Sequence, residues 1–310
     1  MAGDHRCFRM AASPRLAVIA AAALIALAGC TLPHLIVFPF RLTANPSVIA
    51  PPAGGLLLWL EGDTSLVLDG TGRVARWNDV RGAGRAVVPL FGFSGAPVTT
   101  TFATPSGSRR RVGLRCAAAP GRCAYAGDLR IRPPPFNLTG TPYSILAVVV
   151  RRPGPRLNNY FLMSFGSGCQ VRFGGTGCTA NTVFHLGWLL DSVIRHSHYD
   201  FDVDSFVLRP AEEPTLIVAQ SGPRGGMDVA SLGAASAHSA FHSRPDPGPL
   251  SGDASNQLLI GGTPFFGGGP DAPDWFFTGD IFALLIYNRE LSLTEREQAS
   301  DYLRNKYGPR

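Results

Sequence analysis

The stretch Trp275 to Tyr307, WFFTGDIFALLIYNRELSLTEREQASDYLRNKY, constrains the fold more than any other part of this 310-residue chain. Ile281 to Tyr287 is an unbroken apolar run between Gly279-Asp280 and Asn288-Arg289. It is too short for an independent helix, and a strand apolar at every position must be covered on both faces, so it reads as a central strand. Ser292, followed three residues later by Glu295, makes a capping box that starts a helix near Leu293. Leu293, Ala299, Leu303 and Tyr307 give that helix an intermittent apolar face, and Gly308-Pro309 stops it.

Upstream of this stretch, from about residue 55, the chain reads as short apolar or alternating runs separated by Gly and Pro, with no internal repeat and no second helix to rival the last. Strands are expected at Leu56–Leu60, Val74–Asn78, Ala86–Leu90, Tyr143–Arg151, Tyr160–Phe165, Val183–Leu190, Tyr199–Val203, Thr215–Gln220, Gln257–Ile260 and Phe276–Tyr287. The fold class is therefore all-β, a two-sheet antiparallel sandwich closed by one short C-terminal helix, and the chain is long enough for a substantial core.

Three separated stretches carry a family resemblance. Phe277-Thr278-Gly279-Asp280-Ile281, the strand ending Ile286-Tyr287-Asn288-Arg289, and Tyr302-Leu303 to Lys306-Tyr307-Gly308 resemble the closing signature of bacterial concanavalin A-like lectin/glucanase domains, the laminin-G-like jelly rolls. Leu56 to Glu61 resembles that family's first strand, and Gly72 to Asp79, with its Trp77-Asn78-Asp79, resembles the next. Pro142 to Arg151 is similar to a middle strand. The resemblance covers roughly residues 55 to 308. It implies that the first and last strands lie side by side, which places Trp59 near Ile281 to Tyr287, and it leaves function as a range of possibilities.

The amino terminus reads as an export signal. Arg6, Arg9 and Arg15 precede an apolar run from Leu16 to Gly29, and Leu27-Ala28-Gly29-Cys30 resembles a bacterial lipobox, whose cysteine is lipidated. A helix of those apolar residues reaches about 21 Å, against a hydrocarbon core of about 30 Å, which argues against a membrane span. The expected layout is a signal peptide over 1–29, lipidated Cys30 with a Pro-rich tether over 30–54, and a jelly-roll domain over 55–310. Thr31 replaces the aspartate that signals inner-membrane retention, so the expected location is the bacterial envelope, lipid-anchored at the outer membrane. Loss of residues 1–29 lowers the formal charge from +6 to +4, too small an excess for a nucleic-acid partner. Lys306 is the only lysine, and Arg109-Arg110-Arg111 reads as a solvated loop.

With Cys7 removed and Cys30 lipidated, Cys116, Cys123, Cys169 and Cys178 remain. Three pairings are open; Cys116–Cys123 and Cys169–Cys178 close the shortest loops and suit an oxidising compartment. The spacings are too long for a knuckle-like zinc site.

The chemically distinctive segment is Arg195 to Ser205, RHSHYDFDVDS. Read as one strand, it puts His196, His198, Asp200, Asp202 and Asp204 on one face and Ser197, Tyr199, Phe201, Val203 and Ser205 on the other. Imidazoles and carboxylates hydrogen-bond sugar hydroxyls while Trp188 or Tyr199 covers an apolar sugar face, so Trp188, His196, His198, Tyr199 and Asp200 are the candidate glycan contacts. Asp200 and Asp202 are the candidate calcium ligands, calcium being the one cofactor the residues suggest. The competing reading is the solvated face of an edge strand, its charges blocking edge-to-edge pairing.

Catalytic patterns are missing. A retaining glucanase needs two carboxylates about 5–5.5 Å apart on one strand, as in Glu-x-Asp-x-x-Glu. Glu61-Gly62-Asp63 begins that pattern without completing it, and Ser164, His185 and Asp191 lack a Gly-x-Ser-x-Gly elbow. The expected function is an envelope-anchored, non-catalytic, lectin-like binding module for a glycan or extracellular partner. The alternatives are a structural or protein-binding lipoprotein without sugar specificity, and a hydrolase or lyase acting on polysaccharide.

Overall fold

The computed structural model describes residues 45–82, 84–88, 98–103, 110–115, 118–119, 122–123, 137–152, 159–166, 183–189, 193–198, 202–206, 214–222, 226–231, 237–239, 241–242, 250–251, 257–261, 277 and 279–308. Cys30, Cys116, Cys169, Cys178, Tyr199 and Asp200 lie outside them.

In chain order the strands begin with β1 (Leu56–Glu61), β2 (Leu66–Leu68), β3 (Val74–Asn78), β4 (Ala86–Val87), β5 (Val98–Ala103) and β6 (Arg110–Arg115). The short pair β7 (Ala118–Ala119) and β8 (Arg122–Cys123) precedes β9 (Tyr143–Arg151), β10 (Asn159–Gly166), β11 (Val183–Leu189), β12 (Val193–Ser197) and β13 (Asp202–Phe206). Then come β14 (Pro214–Ser221), β15 (Gly226–Ser231), β16 (Ala237–Ser239), β17 (Phe241–His242), β18 (Gln257–Ile260), β19 (Gly279–Tyr287) and the helix α1 (Leu293–Tyr307).

Two large sheets carry the fold. One is eight-stranded, β16-β15-β14-β9-β19-β6-β5 with β1 also on β19; the other is six-stranded, β17-β13-β12-β11-β10-β18. Their strand pairings are antiparallel throughout. β1 lies against β19 with Trp59 opposite Leu285, as expected. It shares that edge with β6, which pairs Asp280 and Ile281.

The uninterrupted apolarity of β19 now has its cause. Ile281, Leu284 and Ile286 enter the core between the sheets, with Leu58, Leu60, Ile145, Ala147, Val149 and Phe184. Phe282, Ala283, Leu285 and Tyr287 enter a second core with Leu146, Val148, Leu216 and Val218, which α1 covers with Ala299, Tyr302, Leu303 and Tyr307. A register shift between Ile281 and Ala283 inserts Phe282 as an extra residue, so Ile281 and Leu284 share a face despite their odd spacing. At about 1.5–3 kcal/mol per fully buried aliphatic side chain, this doubly covered strand is a principal source of stability.

The helix is held at both ends. Ser292 Oγ accepts from the Glu295 amide at 3.3 Å, and the Glu295 carboxylate accepts from the Ser292 amide at 3.0 Å. Arg289 pairs with Glu295 at 2.6 Å and donates through Nε to the Gly54 carbonyl at 2.9 Å. Beneath the helix, Gln220 Nε2 donates to Ser144 Oγ at 2.9 Å and to the Leu291 carbonyl at 3.1 Å. Gly308 ends the helix with φ −75° and an N–H bonded to the Arg304 carbonyl, so extended backbone ahead of Pro309, not a left-handed glycine, makes the stop.

Glu61, considered above as a catalytic fragment, is an anchor. Its nearly fully buried carboxylate accepts from Tyr302 Oη and Lys306 Nζ, and from Thr64 Oγ1 at 3.1 Å. The chain's single lysine is thereby committed to joining α1 to the end of β1. The Trp77-Asn78-Asp79 motif is also structural: Trp77 is buried and donates through Nε1 to the Glu61 carbonyl at 2.9 Å. Asp79 holds Arg81 at 2.7 Å, and Arg81 donates to the Leu57 carbonyl at 2.9 Å.

Two expectations need correction. The last ten residues of the supposed free tether lie on α1: Asn305 Nδ2 donates to the Asn45 and Val48 carbonyls at 2.7 and 3.0 Å, Gln298 donates to Ala50, and Pro51 and Pro52 are buried. Arg110 and Arg111, read as loop, belong to β6 opposite Ala103 and Phe102. Of the strand expected at Tyr199–Val203, Asp202 and Val203 belong to β13, which continues to Phe206, and residues 199–201 lie outside the described residues. Among the described residues, no helix is long and apolar enough to cross a membrane.

Candidate functional site

Arg195 to Ser205 folds as a hairpin. β12 ends at Ser197, β13 begins at Asp202, and they pair Ser197 with Asp202, His196 with Val203 and Arg195 with Asp204. Chain reversal here puts residues of opposite parity on the same face, which breaks the single row of imidazoles and carboxylates expected from a period of two. Ile194 and Val203 enter the inter-sheet core with His196 turned to the same side, while Arg195, Ser197, Asp202 and Asp204 share the outer face.

On that outer face one cross-strand row runs over four neighbouring strands. Ser164 on β10 stands opposite His185 on β11, His185 opposite Ser197 on β12, and Ser197 opposite Asp202 on β13. Phe161 stacks on the His185 ring at 4.8 Å between centroids. In the next row Gly187 lies between Phe161 and Arg195 and adds no side chain. Arg195 bridges both aspartates, at 2.7 Å to Asp202 and 2.7 Å to Asp204, and Ser197 Oγ donates to Asp202 at 2.5 Å. The Asp204 carboxylate holds the guanidinium above its ordinary pKa. Ser164, His185 and Ser197 are recessed to 2–5% exposure, whereas Arg195, Asp202 and Asp204 keep about a quarter of their side-chain surface in contact with solvent.

The two sheets therefore use their outer faces differently. The eight-stranded sheet spends its outer face on a second apolar core under α1. The outer face of the six-stranded sheet carries hydroxyl, imidazole, guanidinium and carboxylate groups, and none of these belongs to either apolar core.

Several candidates from the sequence are elsewhere. Trp188 packs in the core, its ring 5.6 Å from that of Phe277. His196 and His198 are turned inward onto Tyr143, whose hydroxyl lies 2.8 Å from His196 Nε2 and also contacts His198 Nε2. These three candidates are 3–5% exposed and cannot lie along a sugar at the surface. Asp202 is engaged by Arg195 and Ser197, so a calcium ion there would have to displace a guanidinium. His185 is a weak base: burial, then the charge of His198, pushes its pKa down to about 3, which leaves little capacity to take a proton from Ser164 at neutral pH. Sequence reading missed Arg195 and Phe161. The signal for Arg195 was its two nearby aspartates, but it is legible only once the hairpin register is known.

No family profile matches the chain, and no curated protein matches it. Among solved structures the chain is similar to Trypanosoma rangeli sialidase in complex with 2,3-difluoro-KDN, with 17% identity, a TM-score of 0.46, and coverage of 95% of this chain and 39% of that one. It is similar to the CBM40 of Ruminococcus gnavus IT-sialidase bound to alpha2,3 sialyllactose, with 13% identity, a TM-score of 0.35, and coverage of 52% and 82%. It is also similar to domain 4 of AbnA, a GH43 extracellular arabinanase from Geobacillus stearothermophilus, in complex with arabinotriose, with 14% identity, a TM-score of 0.40, and coverage of 78% and 99%. The chain spans about two fifths of the sialidase. At these identities the likeness concerns the β-sandwich fold alone.

Proposed function

We propose that this protein is a non-catalytic, concanavalin A-like glycan-binding module, held at the bacterial outer membrane through lipidated Cys30, with its ligand on the outer face of the six-stranded sheet. The observation that carries the reading is the contrast between the two outer faces: one is consumed by a helix, while on the other Arg195, Asp202 and Asp204 keep about a quarter of their side-chain surface in contact with solvent. Arg195, fixed between Asp202 and Asp204, presents planar donors beside carboxylate acceptors, the pairing that a sugar's vicinal hydroxyls require. The absence of a second glutamate after Glu61-Gly62-Asp63, together with the weak basicity of His185, supports binding without turnover.

The test is a glycan array probed with the full chain in detergent, alongside Arg195→Ala and Asp204→Ala. Binding to a restricted set of sugars, weakened at least tenfold by either substitution, is the expected result. Binding to no sugar would turn the reading to a protein-binding lipoprotein, and release of reducing ends from a bound polysaccharide would turn it to an enzyme. Cys30→Ala is expected to move the protein from the membrane fraction to the soluble one.

A further inference from the structure

At the end of the sandwich where β9 begins and β12 gives out, three ring heteroatoms meet inside the core. Tyr143 Oη lies 2.8 Å from His196 Nε2 and is in contact with His198 Nε2, and the two imidazole centroids are 5.4 Å apart. Tyr143 is fully buried, and the histidines are 3–4% exposed. The setting is apolar: Phe184 lies edge-on to Tyr143 at 5.4 Å and to His196 at 5.4 Å. A phenol has one proton to give. It donates to one imidazole and accepts from the other, so the two histidines differ in which ring nitrogen carries hydrogen.

Apolar residues would fill this space at lower cost than three polar heads, since buried polar networks gain little over a well-packed apolar core. The neighbouring positions Ile194, Ile145 and Leu186 are apolar and satisfy the sandwich. The polar heads also come in a specific arrangement. His196 and His198, two apart, start on one side of β12, and the bend at His198 swings the second imidazole onto the same oxygen as the first.

We propose that Tyr143, His196 and His198 form a binding site for a zinc-class divalent transition metal ion. Two imidazole nitrogens and a phenolate oxygen are donors of the hardness such ions prefer. Tetrahedral bonds of about 2.0–2.1 Å place neighbouring ligand atoms about 3.3–3.4 Å apart, so the Tyr143–His196 contact opens by roughly half an ångström when the ion enters, and the Tyr143–His198 contact by more. Binding balances as follows: the ion bonds to Oη and to both Nε2 atoms, the imidazole that donated to the phenol moves its proton from Nε2 to Nδ1 while the other keeps its proton on Nδ1, and the phenol proton leaves to solvent, a net release of one proton. Of the described side chains, the phenol of Tyr143 is the one in contact with both imidazole Nε2 atoms, and the proposal takes it as the third ligand. Three protein ligands leave one coordination position for water or an anion. The site stands apart from the outer-face glycan reading, and either can fail without the other.

The experiment uses the full chain in detergent, stripped with a chelator and titrated with cobalt(II) and then zinc(II). Expected are a visible absorption spectrum of four-coordinate cobalt at one equivalent, an ultraviolet difference band of tyrosinate, release of about one proton per ion, and a melting temperature that rises with free zinc. Tyr143→Phe should weaken binding at least tenfold and abolish the tyrosinate band, and His198→Gln should weaken it further. If Tyr143→Phe fails to fold, the tyrosinate band and proton count of the unmodified chain still decide whether a phenol ligates the ion, and loss of both in His196→Gln would assign that phenol to Tyr143. Absence of cobalt absorption and of any melting shift at about 1 mM zinc overturns the proposal. So does binding without a tyrosinate band, or binding unchanged in Tyr143→Phe, either of which places the ion elsewhere.

Discussion

Replacing Glu61 by alanine is expected to detach the end of α1 from β1. The Glu61 side chain is 1% exposed and the Lys306 side chain 18%, so the pair is shielded from the water that makes surface pairs nearly worthless. Removing one member of a buried pair costs about 3–5 kcal/mol, because the other charge stays behind. Asp63, 3.4 Å from Lys306 Nζ, partly compensates and sets the expectation near the lower end, about 3 kcal/mol. For a domain of this size that corresponds to a melting temperature lower by roughly 6–12 °C. Glu61→Gln should cost less, since an amide oxygen still accepts from Tyr302. The assay is guanidinium unfolding at pH 7 of the wild type, Glu61→Ala, Lys306→Met and the double mutant. Two side chains in direct contact should show a coupling energy of about 1–3 kcal/mol, with the double mutant less damaged than the sum of the singles. Additive single effects, or a loss below about 1 kcal/mol for Glu61→Ala, would show that the pair does not anchor the helix.

Further predictions follow from the same contacts. Gly279→Ala should destabilise by about 1–3 kcal/mol or more, since a Cβ there would sit 2.1 Å from the Val150 carbonyl oxygen, a backbone atom that cannot swing away; an unchanged unfolding midpoint would contradict this. His185 is held neutral in the fold, with a pKa of about 3 against an ordinary 6.5. Its contribution is therefore complete above pH 6.5 and falls by up to about 1.4 kcal/mol per pH unit as acid approaches pH 3, a slope that His185→Gln should flatten in pH-resolved denaturation. Glu295 is drawn down to about 2, from an ordinary 4.5, chiefly by its hydrogen bond from Arg289 and then by the Ser292 cap. Its contribution is present above pH 4.5 and lost between there and pH 2. A third of the side chain is exposed, so Arg289→Ala should cost only about 1 kcal/mol at pH 7, and a salt-insensitive loss would argue against the pair.

Local patterns were enough for the closing segment. The apolar run of β19, the Ser292–Glu295 cap and the Pro309 stop are short-range chemistry, and each acts through neighbours within a few residues along the chain. The pairing of β1 with β19 was also legible, although through resemblance rather than through spacing. What only the tertiary structure decided is which face each residue takes. The bulge at Phe282 reverses parity within one strand, and the reversal between Ser197 and Asp202 reverses it between two. A period-two count carried across either point assigns side chains to the wrong side. His196 and His198 thereby leave the surface for Tyr143, 53 and 55 residues away in sequence, and Arg195 takes their place beside the aspartates. The role of Glu61 was hidden for the same reason: its partners Tyr302 and Lys306 are some 240 residues distant, and no local signal marks a carboxylate that will be buried by the last turn of a helix.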